Sequence, residues 1–198
     1  MSYLLYHTDA FILGGTPFGE GSKLLTLLTR EFGLIVASVT SVRAERSKLR
    51  YGLQDFSYSK ITLVRGKEFW RITSVTDTES LFEVFRHSPE KIQLFARVFS
   101  LLRRLLAGEE KHEELFSAVT ETFAFLRTNG PPTVSIGEVE VVLVLRLLHL
   151  LGYLAPQKEF SVFLSDPLHW GSELFPHAAK LRALAVSRIN HSLRASQL

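Results

Sequence analysis

The chain has 198 residues, 46% of them apolar and 22% charged, with a formal net charge of +3; this is the composition of a folded protein, long enough for two small domains. It contains no cysteine, which excludes disulfides, thiolate metal sites and cysteine nucleophiles. No apolar run reaches the roughly 18 residues of a spanning helix, and the start MSYLLYHTDAF lacks a basic region and a cleavage site, so the expectation is a cytoplasmic protein without a secretory signal.

The first half reads as strands. Ala10 to Thr16 is followed by a turn at Pro17–Gly21, then by SKLLTLLT from Ser22 to Thr29, which is of strand length between two glycine-bearing turns. After the turn Arg30–Gly33, the β-branched run Leu34 to Val42 is the plainest strand of the chain. Ser57 to Arg65 and Glu68 to Thr76 alternate with period two around Gly66-Lys67, a second hairpin. Five strands within about 75 residues predict a small closed antiparallel barrel.

The period then changes. Thr76–Glu79 reads as a helix cap, and the domain boundary is placed there, giving 1–78 and 79–198. Helices are expected over Pro89 to Leu106, whose polar residues Gln93, Arg97, Ser100 and Arg104 share one face, and over Glu109 to Leu126. Pro131-Pro132 forms a connector, Val139 to Leu151 a nearly all-apolar central helix, Leu154 to Gly171 an irregular segment, and Pro176 to Leu193 a basic last helix.

Motifs for catalysis are missing. The seven histidines show no i, i+4 pair, and Asp166, His169 and His177 make only a loose cluster that reads as polar side chains of an exposed loop rather than a metal site. There is no Gly-x-Ser-x-Gly elbow. The run Gly14–Gly19 lacks the lysine and serine of a phosphate loop, and the paired acids Glu109-Glu110 and Glu113-Glu114 read as a solvated helix start. The expectation is a non-enzyme with no metal and no cofactor.

Charge is segregated instead. From Thr40 to Lys67 there are seven cations, Arg43, Arg46, Lys48, Arg50, Lys60, Arg65 and Lys67, against Glu45 and Asp55; from Leu174 to the end there are four and no acid. The first group is interleaved with Tyr51, Phe56, Tyr58, Phe69 and Trp70, a mixture suited to following a phosphate backbone and stacking bases. Those seven cations are the expected nucleic-acid contacts. The alternatives are an ordinary charged rim on a core of aromatics, an RNA-binding barrel protein of the translation machinery, and a protein adaptor that binds no nucleic acid.

The stretch Ala10 to Phe56 resembles the amino-terminal domain of the RecO recombination-mediator family. The shared residues are Ala10-Phe11-Ile12-Leu13, Pro17, Glu20, Ser22, Leu25, Thr29-Arg30-Glu31, Gly33, Arg43, Ser47, Leu49, Leu53-Gln54 and Phe56. Weaker likeness continues at Glu113-Leu115-Phe116, at Leu145 to Tyr153 against the family's LxxLGY helix, and at Glu173-Leu174 with Leu181-Arg182.

The resemblance implies an α+β multidomain protein: a five-stranded antiparallel OB barrel followed by an all-helical domain. It implies a DNA repair and recombination mediator that binds single-stranded DNA, with duplex DNA as a further candidate, and anneals strands. It also implies docking on the C-terminal tail of the single-stranded DNA-binding protein and work with RecR in loading RecA, in the cytoplasm and on the nucleoid. For the tail the candidate pocket is Leu145, Arg146, Leu148, Leu151 and Tyr153, leucines that are equally readable as core. Thr40-Ser41 stand where the family usually has Lys-Gly, and Glu45 where a cation is common. Many members carry a four-cysteine zinc site after the LxxLGY helix; without cysteine, no zinc is expected here.

Overall fold

A computed structural model describes residues 4–40, 52–128, 135–164, 170–171 and 174–195. The chain divides into two compact units, Met1–Glu113 and Glu114–Leu198. Among the described residues no helix is long and apolar enough to cross a membrane.

The first unit is built on five strands: β1 (Leu5–Phe18), β2 (Ser22–Thr29), β3 (Gly33–Val39), β4 (Ser57–Arg65) and β5 (Trp70–Ser80). Alternation explains them. Ala10, Ile12, Leu25, Leu27, Ile35, Ala37, Val39, Ile61, Leu63 and Ile72 point inward and form one cluster with Leu53 and Trp70, as period-two side-chain placement requires. β1 is long enough to serve two neighbours, with Leu5–Ile12 against β4 and Ala10–Phe18 against β2. A register shift between Ile12 and Gly14, with Gly14 at φ +144, marks where the strand bends from one to the other.

The strand order is β1-β2-β3-β5-β4, which returns the last strand to the first. One expectation is corrected here. β3 and β5 run parallel and meet at only two pairs, Ala37↔Trp70 and Ser38↔Arg71, so the sheet is mixed and its seam thin rather than antiparallel throughout.

A second correction concerns Thr76–Glu79, which is not a helix cap. β5 runs on through it, pairing Glu79 with Tyr58 and Ser80 with Ser57, past an irregularity at which Asp77 takes φ +50. Helix α1 (Leu81–Val84) begins only after the strand ends. Phe56, at φ +61, ties the pieces together: its N–H donates to the Ile12 carbonyl at 2.9 Å and its own carbonyl accepts from Leu81 N–H at 2.9 Å.

Helix α2 (Pro89–Leu105) starts on proline at its first turn and buries Leu94, Phe95, Val98, Phe99, Leu102 and Leu105 on one face. Gln93, Arg97, Ser100 and Arg104 are all exposed, as their spacing predicts. Phe99 lies 5.6 Å from Phe11 and 5.7 Å from Phe56, ring centre to ring centre, which fixes α2 to the outer face of the strands. Helices α1 and α2 therefore fall within the first compact unit, Met1–Glu113.

The expected helix start at Glu109 is also corrected: α3 is Glu113–Arg127. Glu109 is engaged elsewhere. Its carboxylate accepts a hydrogen bond from Trp70 Nε1 at 3.1 Å and pairs with Arg65, while Lys111 reaches Glu31 at 3.2 Å and Glu113 at 3.1 Å. These residues form a strap laid against the β2–β3 turn.

In the second unit α3, α4 (Ile136–Leu150) and α6 (Leu174–Ala195) match the expected helices within a few residues. α4 is the central one, buried nearly all round, and α6 packs against it. Gly152, at φ +76, ends α4: its N–H donates to the His149 carbonyl at 3.0 Å and Tyr153 N–H to the Leu148 carbonyl at 2.8 Å, a Schellman closure. The Leu-Gly-Tyr sequence is thus a helix stop. The segment expected to be irregular holds a 3₁₀ turn (Lys158–Phe160) and α5 (Ser161–Leu164), anchored by buried Phe160 and Phe163.

Candidate nucleic-acid interface

Three of the seven expected cations are among the described residues; Arg43, Arg46, Lys48 and Arg50 lie outside them, as does Tyr51. Lys60 is exposed on β4 and pairs with Asp77 at 2.9 Å, whose carboxylate raises the lysine pKa by hydrogen bond and charge. Arg65, at the end of β4, stacks over the Trp70 ring at 4.6 Å while paired with Glu109. Lys67, in the β4–β5 turn, is exposed and makes no ion pair with the described residues. Lys60 and Arg65 are five residues apart along a strand, about 17 Å, so these cations do not form one cluster.

Most of the expected stacking rings are structural. Trp70 is 4% exposed and sits between Tyr6 and Phe32, at 5.2 and 4.9 Å. Tyr58 packs on Phe11 at 4.9 Å, and burial followed by the nearby Asp9 charge pushes its phenol pKa up. Phe56 is held by Phe82 and Phe99.

Another aromatic takes that place. Phe18, 47% exposed at the end of β1, meets Phe69 of the β4–β5 turn edge to face at 6.0 Å. Two turns are thereby joined, and Lys67 is two residues from Phe69. The pairing Lys23↔Val39 sets the start of β2 beside the end of β3, whose next residue, Thr40, leads into the basic stretch 43–50. Phe18 escaped the sequence reading because a turn between proline and glycine draws attention to backbone. The available signal was a large ring where no core can receive it.

Two cavities flank these strands. One of about 580 Å³ runs between the bend of β1 and α2, with Gly14, Gly15, Leu24, Val36 and Phe56 on one side and Ser100 and Arg103 on the other. Arg103 Nη1 lies 3.5 Å from the position a Cβ on Gly14 would take, so the bend accommodates the guanidinium closely. The other, about 350 Å³, is polar and holds the Arg30–Asp9 pair at 3.3 Å and the His7 Nδ1–Thr62 Oγ1 contact at 3.1 Å.

In the second unit the expected tail pocket is divided. Leu145, Arg146 and Leu148 are at most 2% exposed, so they are core; Leu151 is half-buried and Tyr153 is 36% exposed. Arg146 donates from a guanidinium nitrogen to the Leu164 carbonyl, which fastens α5 to α4. His149 Nδ1 donates to the Leu154 carbonyl at 3.1 Å, as expected of a satisfied imidazole. An open cavity of about 290 Å³ lies beside these residues, lined by His149, Pro156, Gln157, Lys158, Ser161 and Leu164. Asp166 and His169 lie outside the described residues, and among the described ones no three His, Asp or Glu side chains converge as metal ligands would.

Comparison with known proteins agrees with this architecture. The family model described as "Recombination protein O N terminal" matches residues 1–81. The chain is 32% identical over 149 residues to the DNA repair protein RecO of Desulfitobacterium hafniense, covering 75% of this chain and 52% of that one. It is 32% identical over 152 residues to its counterpart in Pelotomaculum thermopropionicum, covering 75% and 56%, and 29% identical over 171 residues to that of Heliobacterium modesticaldum, covering 83% and 57%. The chain spans little more than half the length of these relatives. The five-stranded unit thus matches the amino-terminal domain of the RecO family, and similarity to RecO proteins continues into the helical unit.

Proposed function

We propose that this chain is a DNA repair and recombination protein, and not an enzyme, that holds single-stranded DNA at the loop end of its five-stranded sheet. The sheet's order is that of an OB fold, a partly open barrel that binds strands with its loops. The observation that carries the reading is exposed Phe18 paired with half-buried Phe69, two residues from Lys67, at turns near the point where β3 leads into Arg43, Arg46, Lys48 and Arg50. Rings stack on any base and the cations meet phosphates, so binding is tolerant of sequence.

In the same reading the protein anneals strands, docks on the C-terminal tail of the single-stranded DNA-binding protein, and works with RecR in loading RecA, in the cytoplasm and on the nucleoid. The tail suits the open cavity near the end of α4, where Lys158 is exposed, better than the buried leucines of that helix.

The test is fluorescence anisotropy of a labelled single strand across a salt series. With four phosphate contacts, log affinity falls against log salt with a slope of about −3, from roughly −0.7 per contact on a single strand. Binding insensitive to salt refutes the phosphate interface. Tighter binding of the matched RNA strand moves the reading to the RNA class, and absence of binding to either strand moves it to the adaptor class.

A further inference from the structure

α6 carries a charge pattern that the strand-binding loops do not account for. Its 22 residues include no Asp or Glu. One side buries Leu174, Phe175, Ala178, Ala185 and Ser192. On the other, Lys180, Leu184, Arg188 and His191 follow at intervals of four, four and three, with Arg194 three further on, and all five are exposed. This spacing makes a ridge along the helix, about 21 Å from Lys180 to Arg194 at 1.5 Å per residue.

The ridge is electrostatically incomplete. In the first unit Lys23, Arg30, Lys60, Arg65 and Lys111 each have a carboxylate partner. Lys180, Arg188, His191 and Arg194 have no ion-pair partner among the described residues. Arg182 is different: its Nη2 lies 3.2 Å from where a Cβ on Gly137 would stand, so it leans on the start of α4. With no acid on α6, no i, i+4 ion pair can form within the helix. An external anion relieves that repulsion.

We infer that the ridge Lys180–Leu184–Arg188–His191–Arg194 is a second strand-binding surface, taking the phosphodiester backbone of a nucleic-acid strand other than the one held by the first unit. The inference rests on the nucleic-acid reading above. Three cations in line, separated by about 12 and 9 Å of helix, suit a chain of repeated point charges. A membrane surface would need a broad apolar face, but that face of α6 is packed against α4. A folded acidic protein would need a buried apolar anchor, and the ridge has only Leu184, 39% exposed. Two strand sites on one chain give a direct means of bringing two strands together.

The experiment uses the full chain and the variant Lys180→Gln/Arg188→Gln/Arg194→Gln, which keeps good helix formers at exposed positions. Anisotropy reads binding of one labelled single strand; energy transfer between two non-complementary oligonucleotides bearing donor and acceptor reads bridging without base pairing. The expected result is first-strand binding within about threefold of the parent, loss of bridging, and a second-strand salt slope smaller by about 2 for three lost contacts. Far-UV circular dichroism checks the fold. If the triple variant is misfolded, Arg188→Gln alone replaces it, with an expected slope change of about 0.7. Unchanged bridging and slope overturn the inference and leave the first site standing. A parent protein that binds no strand removes both readings. Binding of a poly-glutamate peptide to the ridge in preference to the oligonucleotide overturns the assignment to nucleic acid.

Discussion

Gly33 at the β2–β3 turn offers a quantitative test of the strap that closes the first unit. Its φ is +65, and a Cβ placed on it would stand 1.8 Å from the Glu110 carbonyl oxygen and 2.7 Å from its carbon, backbone atoms that no rotamer can move. Alanine there meets two separate costs. The left-handed backbone costs about 1 to 2 kcal/mol for a residue with a Cβ. The clash forces the strap outward, which breaks the Trp70–Glu109 hydrogen bond and the Arg65–Glu109 and Lys111–Glu31 pairs.

A hydrogen bond to a charged group contributes about 1.5 kcal/mol or more, and each half-exposed pair a few tenths. Gly33→Ala is therefore expected to lose about 3 to 4 kcal/mol. Gly108 supplies the control, since it sits at φ +101 with nothing within 4 Å of its Cβ position. Gly108→Ala should lose only the backbone cost, about 1 to 2 kcal/mol. Gly33→Asn, which tolerates the backbone angle but keeps the clash, should lose about 2 kcal/mol, the share of the broken strap contacts. Urea unfolding followed by tryptophan emission gives the three values. Equal losses for Gly33→Ala and Gly108→Ala would refute the strap as a packed element.

Further outcomes are expected at other positions. Phe18→Ala with Phe69→Ala should weaken single-strand affinity by about 1 to 3 kcal/mol for a lost stacking site, with a thermal midpoint close to the parent because Phe18 is half-exposed; unchanged affinity in the anisotropy assay removes this pair from the interface. Tyr58 ionises above the ordinary tyrosine range, so as pH rises past about 10 the unfolded chain loses that proton first and stability falls; Tyr58→Phe should remove a phenol of raised pKa from an ultraviolet titration and flatten that fall. Arg146→Met should stay within about 1.5 kcal/mol of the parent, while Arg146→Glu, which sets a buried carboxylate against the Leu164 carbonyl, should lose at least about 3 kcal/mol; similar losses for both would show that the guanidinium is not buried as described.

The strands were legible in the sequence wherever one face meets a core and the other meets water. β2 matches its expected limits because two glycine-bearing turns bound it at strand length, β4 because alternation and turns agree, and α2 follows from helical spacing. What local pattern could not disclose came from distant partners. Thr76–Glu79 is polar, and polar residues before Leu-Phe look like a cap; the strand continues only because Tyr58 and Ser57 stand opposite. Glu109 looks like the first residue of a helix until Trp70 and Arg65, about 40 positions earlier, claim its carboxylate. The parallel seam between β3 and β5 has no sequence signature, since two pairs impose no periodicity.

For the site, the cations were legible as composition but not as geometry. Lys60 and Arg65 carry carboxylate partners, Trp70 belongs to the core, and Phe18 is an aromatic of the strand turns that reaches solvent. In the helical unit α4 was legible as a nearly all-apolar central helix, and Leu145 and Leu148, offered for the tail pocket, are consumed by packing.

The two tryptophans give the molecule a built-in optical report. Trp70 lies in the first unit, wedged between Tyr6 and Phe32 and bonded to Glu109, while Trp170 lies in the second, stacked on Phe125 at 5.1 Å and near Phe175 at 6.2 Å. Each compact unit thus holds a single indole in a distinct polar and aromatic setting. Trp70→Phe and Trp170→Phe leave chains with one indole each, whose emission under tryptophan-selective excitation follows the melting of one unit without signal from the other. Trp70 also adjoins the two-pair seam, so its quenching and solvent relaxation register the opening of that seam before the strands themselves come apart.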